Sequence, residues 1–429
     1  MDNHDFATLN HQLTAIAHRV RHALDAHDYP LAKRILTEQG LKLLPNHPIM
    51  LSDLAYAESQ LGRYKEAYDY LQKALTHYDN TPYRPDQPKY TIYDTLVSVC
   101  GQLNRNEEAY FYAKKSMADK KKSALQHKPL PLPLPTLPHK GLHPDKSKNI
   151  IAYSLFGANP RYCEVAVINA TLAPHIYPEW TCRFYVDDSV PGHVLRRLAQ
   201  YHAQIIKVNR KELGFSGLFW RFLVLADENV HCFIIRDADS LLSYKERYAV
   251  DEWLNSGKFF HIMRDDVCHN ELILAGMWGG YTGAFPSIKE DMQVYFGSLT
   301  VLNKTIDQQF LRNHIWVTVN QSVLVHDKVR LEKDSLPYPD YPLSDIEKIP
   351  YFHIGMVDAR AKAVIAEVTN SDAKRVQWQL VNQHNHPICS YEADVITQNN
   401  RRIIKLYLPY FYTQKIEHEH WQIQTKTLA

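Results

Sequence analysis

The 429-residue chain has almost no net charge: 49 lysines and arginines stand against 47 aspartates and glutamates. That balance excludes a general nucleic-acid binder and a polybasic membrane anchor. Cysteine is sparse. The six (Cys100, Cys163, Cys182, Cys232, Cys268 and Cys389) form no CxxC and no Cys/His pair at zinc spacing. They read as buried, reduced thiols of a cytoplasmic protein. No apolar run approaches the roughly 18 residues a spanning helix needs. The opening "MDNHDFATLNHQLTA" is polar and lacks the apolar core of a secretory signal. The expected location is therefore cytoplasmic, with the inner face of the membrane as a place of work. What remains is an ordinary globular composition, 45% hydrophobic and 22% charged, long enough for two or three domains.

The clearest punctuation is "HKPLPLPLPTLPHKGLHPDKSKN", where alternating Pro and Leu favour an extended, polyproline-like linker. Before it, "DLAYAESQLGRYKEAYDYLQKAL" places Leu54, Ala55, Ala57, Ala67, Leu71 and Ala74 where two antiparallel helices approach closely, with Gly62 at the turn. A second copy carries Leu96, Ala109 and Ser116, with Asn104 in place of the turn glycine, a residue that tolerates left-handed backbone. A fainter copy precedes them around Tyr29 and Ala32, and "DNTPYRPDQPKY" lengthens the link between the last two. This pattern resembles the tetratricopeptide repeat. Such arrays offer a surface for a protein or peptide partner.

After the linker, "NIIAYSLFG", "TCRFYVDDS", "QIIKVNR" and "HCFIIRDADS" read as strands. They alternate with helical segments that include "SGLFWRFLVLADE". That order implies a largely parallel sheet with helices on both faces. Ligands of such sheets bind outside the carboxyl ends of the strands, where Asp187, Asp188, Asp237 and Asp239 lie. From about Val376, short alternating segments suggest a β-rich appendage. Its aromatics (Trp378, Tyr407, Tyr410, Phe411, Tyr412 and Trp421) suit a core or a sugar-binding face.

Asp237 and Asp239 repel one another at the end of an apolar strand. A divalent cation with oxygen ligands would offset that repulsion and leave positions open for phosphate oxygens. The blocks "YVDDSVP", "GLFWRFL", "RDADS", "AVDEWLNSGKFFHIMRD", "LILAGMWGG", "DQQFL" and "VLVHD" occur in order between Asn149 and Asp327. Together they resemble bacterial, metal-dependent glycosyltransferases of the GT-A fold and polysaccharide-biosynthesis type. The resemblance implies transfer of a sugar from a nucleoside-diphosphate donor to a hydroxyl of a glycan or glycoconjugate, in surface polysaccharide or lipooligosaccharide synthesis or in protein glycosylation.

Several residue roles follow from that resemblance. Asp237 and Asp239 would hold Mn²⁺ or Mg²⁺, with His326 as third ligand and His353 as its rival. Ser154, Asp187, Arg221, Arg236, Asp237, Asp239, Gly276, Trp278 and Gly279 would address the donor. Asp265, Asp307 and Gln308 would lie by the reacting sugar, and either acid could serve as general base. The implied layout is an all-α tetratricopeptide-like solenoid over residues 1–126, a Pro-rich linker over 127–148, a GT-A domain over 149–360 and a β-rich appendage over 361–429. Two other readings stand beside it. One is a nucleotidyltransferase acting on a sugar phosphate, although "SLFGANPRYCE" lacks the Gly-rich basic loop such enzymes carry. The other is a repeat scaffold with an inactive transferase domain.

Overall fold

The computed structural model describes residues 3–80, 87–126, 132–136, 141–299, 305–345, 347–349, 352–356, 363–369, 373–418 and 420–427. Residues 127–131 and 137–140 of the Pro-rich linker, half of the insertion between the second and third repeats, and the expected boundary at 360/361 lie outside them. The chain forms two compact units. One comprises Met1–Lys128 with Asp266–Leu272 and Val329–Asp334; the other comprises Pro129–Asp265, Ile273–Lys328 and Ser335–Ala429.

The first unit is built from helix pairs. Asn3–Asp25 precedes Tyr29–Ile35, Pro48–Gln60 precedes Tyr64–Tyr78, and Tyr90–Gln102 precedes Asn106–Gln126. Each pair turns on one residue with left-handed backbone: His27, Gly62 and Asn104. The hydrogen bonding at the three turns is the same. Asp28 N donates to Ala23 O, Arg63 N to Glu58 O and Arg105 N to Cys100 O, each 2.9 Å. This is the Schellman closure, which satisfies carbonyls at a helix end. Ala32, Ala67 and Ala109 occupy equivalent positions after these turns and are fully buried, so the paired helices meet over a methyl group. His27 and Asn104 can replace glycine because their polar side chains lessen the penalty of that backbone region. Two excursions from the distal chain complete this unit. Asn270 Nδ2 donates to Asp94 at 2.6 Å, Lys120 Nζ to Asn270 O at 2.7 Å, and Tyr110 OH to Arg330 O at 3.2 Å.

The second unit centres on a seven-stranded sheet of order β3-β2-β1-β4-β6-β5-β7. The strands are β1 Asn149–Leu155, β2 Thr181–Val186, β3 Gln204–Lys207, β4 Cys232–Ile235, β5 Phe260–Arg264, β6 Trp278–Tyr281 and β7 Val323–Asp327. β1 pairs in parallel with β2 and β4, β2 with β3, and β5 with β7. β6 alone runs antiparallel, between β4 and β5. A mostly parallel sheet is thus present as expected. The segment "SGLFWRFLVLADE" departs from the expected α-helix: Gly217–Ala226 is a 3₁₀ helix opened by Ser216, whose hydroxyl accepts from Leu218 N. Three residues per turn put Phe219, Phe222 and Leu225 in one row and Leu218, Arg221 and Val224 in another.

Two small antiparallel sheets follow. One has the order β10-β9-β13 and the other β11-β12-β8. Their strands are β8 Val364–Glu367, β9 Arg375–Val381, β10 Pro387–Asp394, β11 Ile396–Gln398, β12 Arg401–Leu406 and β13 Gln422–Thr427. Trp378, Tyr391 and Tyr412 are buried, whereas Tyr407 and Phe411 are exposed. Of the six aromatics expected there, Trp378 and Tyr412 are therefore core, Tyr410 and Trp421 are half-buried, and Tyr407 and Phe411 face solvent. Glu164, on helix Pro160–Ile176, ties the appendage to the main sheet. It accepts from Arg197 through both oxygens at 2.8 Å, from Tyr391 OH at 2.5 Å and from Tyr412 OH at 2.9 Å. Among the described residues, no helix is long and apolar enough to cross a membrane.

Candidate active site

The chain runs β1, β2, β3 outward on one side of β1 and then returns to place β4 on the other side. A crevice must open where the connections diverge, outside the carboxyl ends of β1 and β4. A cleft of about 320 Å³ lies there, lined by Ser154 and Phe156 from β1 and its loop, Tyr162 from the following helix, Arg221, Asp237 and Asp239 among others.

Each carboxylate of "RDADS" meets an arginine. Arg161 reaches Oδ2 of Asp239 from Nε at 3.1 Å and from an Nη at 2.7 Å. Arg221 binds Asp237 with one terminal nitrogen and Asp307 with the other at 2.9 Å. The Arg221 backbone is fixed by its N–H donating to Ser154 Oγ at 2.9 Å. Burial works against the Arg221 charge, but Asp237 and Asp307 more than offset it and its pKa rises. Burial pushes the Asp239 carboxyl up and Asp237 pushes it further, while Arg161 opposes both. The Asp307 carboxyl is also raised by burial, with Arg221 opposing. The seat of Asp237 depends on Gly276. A Cβ on that glycine would come within 2.0 Å of Asp237 Oδ2.

The cleft thus gathers Ser154, Arg221, Asp237 and Asp239, with Gly276 behind and Asp307 joined through Arg221. Gln308 follows Asp307 and donates its backbone N–H to that carboxylate at 2.9 Å. Other expected members lie elsewhere. Arg236 points opposite to Asp237, as adjacent residues leaving a strand do; it is buried and bonds Glu246 at 2.6 Å. Trp278 is fully buried against Phe222 and Phe233, which corrects its expected contact with the donor. Gly279 is also core. Its missing Cβ makes room for Phe233 O and Ile234 across the β4–β6 pairing. Asp187 holds Ser189 N at 3.1 Å and pairs with Arg210 at 3.0 Å; it does not line the cleft. Asp265 accepts from Lys245 Nζ at 2.7 Å and from Ile354 N at 3.0 Å.

His326 requires the main correction. It lies on β7, three strands from β4, a lateral distance of about 14 Å at ordinary strand spacing. It is fully buried, its Nδ1 is 2.8 Å from His261 Nε2 and its Nε2 is 3.1 Å from Glu252. Burial lowers its pKa, with Glu252 opposing. It is a core histidine, not a companion of Asp237 and Asp239. His353 comes within 4.8 Å of the Asp265 carboxylate. Its neighbour Gly355 packs on Met277, next to Gly276, so this turn reaches the same end of the sheet as the paired acids. Arg161, which binds Asp239, lies outside the donor-binding set expected from the sequence. Asn159 caps its helix and Pro160 follows at the first position, a signature that places Arg161 in the first turn.

No family model matches the chain, and no curated protein matches it. Solved structures similar to parts of it include the Sgt2 TPR domain from Aspergillus fumigatus and a mutant O-GlcNAc transferase from Thermobaculum terrenum. The first is 19% identical over 25% of this chain and 66% of that one, with a TM-score of 0.22. The second is 16% identical over 55% of this chain and 47% of that one, with a TM-score of 0.28. The chain spans less than two thirds of the length of either structure, and likenesses this distant carry no argument about its chemistry.

Proposed function

We propose that the cleft between β1 and β4 binds a nucleoside-diphosphate-sugar and that the chain transfers the sugar to a hydroxyl of a glycan or glycoconjugate. The observation that carries this reading is the convergence of Asp237, Asp239 and Arg221 on one cleft at the switch point of a mostly parallel sheet, with Arg161 bound to Asp239 at its edge. Two carboxylates sharing a cleft, one raising the pKa of the other, are a donor set suited to a hard divalent cation. Asp237 and Asp239 would hold Mn²⁺ or Mg²⁺, which when bound neutralises charge on the departing diphosphate. The first turn of helix Pro160–Ile176 faces the same space, and helix N-termini favour anions. Tyr162 offers a flat face for a base or sugar ring. Asp307, joined to the cleft through Arg221, would be the general base toward an acceptor hydroxyl once Arg221 turns to the donor. In this reading the repeat unit selects the acceptor.

Thermal-shift measurements with UDP-, GDP- and ADP-sugars, with and without Mn²⁺, test the reading. A donor that binds the native state raises the melting temperature by mass action. Asp239→Asn should then remove the Mn²⁺-dependent part of the shift and abolish donor hydrolysis and transfer. Wild-type turnover by that variant would sink the metal role. Silence from every nucleotide-sugar would sink the donor site.

A further inference from the structure

Two acids, Asp237 and Asp239, line the cleft, and each is held by an arginine: Asp237 by Arg221, which also lines it, and Asp239 by Arg161 at its edge. Arg161 spends two donors on a single oxygen of Asp239. Its side chain is 35% exposed while that of Asp239 is 11% exposed, so the guanidinium can leave toward solvent and the acid cannot. Arg221 is only 4% exposed, yet its Nε is buried without a hydrogen-bond partner. A buried donor without an acceptor is costly, and a shift of the Arg221 guanidinium toward an anion in the cleft would supply one.

We propose that Arg161 and Arg221 are the binding groups for the donor's diphosphate, and that phosphate and cation bind by exchange of partners. This rests on the reading of the cleft as a nucleoside-diphosphate site. A divalent cation entering alone must compete with Arg161 for Asp239 and with Arg221 for Asp237. A diphosphate entering alone must compete with the same two acids for the arginines. When both enter, the acids pass to the cation, the guanidinium groups pass to phosphate oxygens, and every charge is again paired. Each ligand thus removes the obstacle to the other. Cation and diphosphate are coupled through the protein as well as by direct attraction, and the coupling is reciprocal. Arginine suits this task because its planar fork matches phosphate as well as carboxylate. The ring of Tyr162, 5.3 Å from the Arg161 guanidinium, gives that group a resting face once it leaves Asp239.

The exchange makes a prediction of opposite signs. Titration calorimetry on the full chain, with Mn²⁺ alone, with inorganic pyrophosphate alone, and with each in the presence of the other, is compared for wild type and Arg161→Gln. In the variant Mn²⁺ alone should bind several-fold more tightly, because Asp239 has lost its competitor. Pyrophosphate alone should bind about tenfold or more weakly, the scale of a lost charge-assisted contact. The factor by which each ligand tightens the other should shrink. Arg161→Lys, which keeps the charge and loses the fork, should fall between the two. If Arg161→Gln weakens both ligands together with a fall in melting temperature, Arg161 is scaffolding and the exchange is overturned. Unchanged pyrophosphate affinity overturns it too. A wild-type chain that binds neither probe overturns the donor-site reading itself, and the exchange with it.

Discussion

Glutamine in place of Glu164 replaces one oxygen and removes one charge from a buried polar cluster of the second unit. Glu164 is completely buried and accepts four hydrogen bonds, two from Arg197 and one each from Tyr391 and Tyr412. An amide nitrogen in that position would face donors. The Arg197 guanidinium would lose its counter-charge while 22% of the side chain remains exposed. Breaking a buried ion pair by removing one partner costs about 3–5 kcal/mol, and partial rehydration of Arg197 puts this case near the low end, about 3 kcal/mol. Because Tyr391 and Tyr412 belong to the appendage, the loss should fall there first. Hydrogen exchange at the amides of β9 and β10 reads it locally, which matters in a chain whose units need not unfold together. A 3 kcal/mol loss corresponds to exchange about a hundredfold faster. Replacing the whole cluster (Glu164→Met, Arg197→Met, Tyr391→Phe and Tyr412→Phe) should recover most of the protection, since apolar packing can match a buried ion pair. Exchange in Glu164→Gln less than about threefold faster would refute the claim that this cluster holds the appendage to the sheet.

Three further outcomes are expected. Gly276→Ala should displace the Asp237 carboxylate, which would lie 2.0 Å from the new methyl; Mn²⁺-dependent nucleotide shifts should vanish while the circular-dichroism spectrum stays that of the wild type. Burial pushes the Asp53 carboxyl up to about 6, with Arg21 opposing. The native state therefore holds a proton that the unfolded chain releases, and stability falls as pH rises from about 4 to 6, by at most about 3 kcal/mol. Asp53→Asn should flatten that decline and melt above wild type at pH 7, and identical pH trends in the two proteins would reject the assignment. Asp94→Asn should weaken the anchor that Asp94 gives to Lys120 and Asn270, speeding hydrogen exchange across residues 266–272 on the scale of one part-buried hydrogen bond, about 1 kcal/mol. The same contacts mean that removing residues 1–126 would strip Asn270 and Glu271 of their partners Asp94 and Lys120, so point substitutions separate acceptor choice from folding better than truncation.

Periodicity made the helix pairs and the parallel strands legible, because each buries a continuous apolar face. β6 was not legible. "WGGY" has two residues without side chains, and they are glycines because Phe233 and Phe260 fill the space a Cβ would take. A strand selected for absence of side chains has no alternation to read. The first repeat was faint for a related reason: its turn residue is His27, not glycine, and only the backbone reveals that it closes its helix as Gly62 does.

The site residues divide along a different line. Asp237 and Arg236 are neighbours in sequence, yet one faces the cleft and the other the core, and no local pattern at a strand end says which. His326 follows an apolar strand just as the paired acids do, so the sequence gives it equal claim to the site. The order of strands decides, by placing two strands between β4 and β7. The partners of the acids come from farther still, Arg161 from the first turn of a helix and Arg221 from a 3₁₀ row. Two repelling carboxylates at a strand end therefore do not by themselves demand a metal, because two guanidinium groups already balance them. Under the proposed exchange, a cation entering this cleft would free those guanidinium groups for a new anion, and a diphosphate is an anion of that kind.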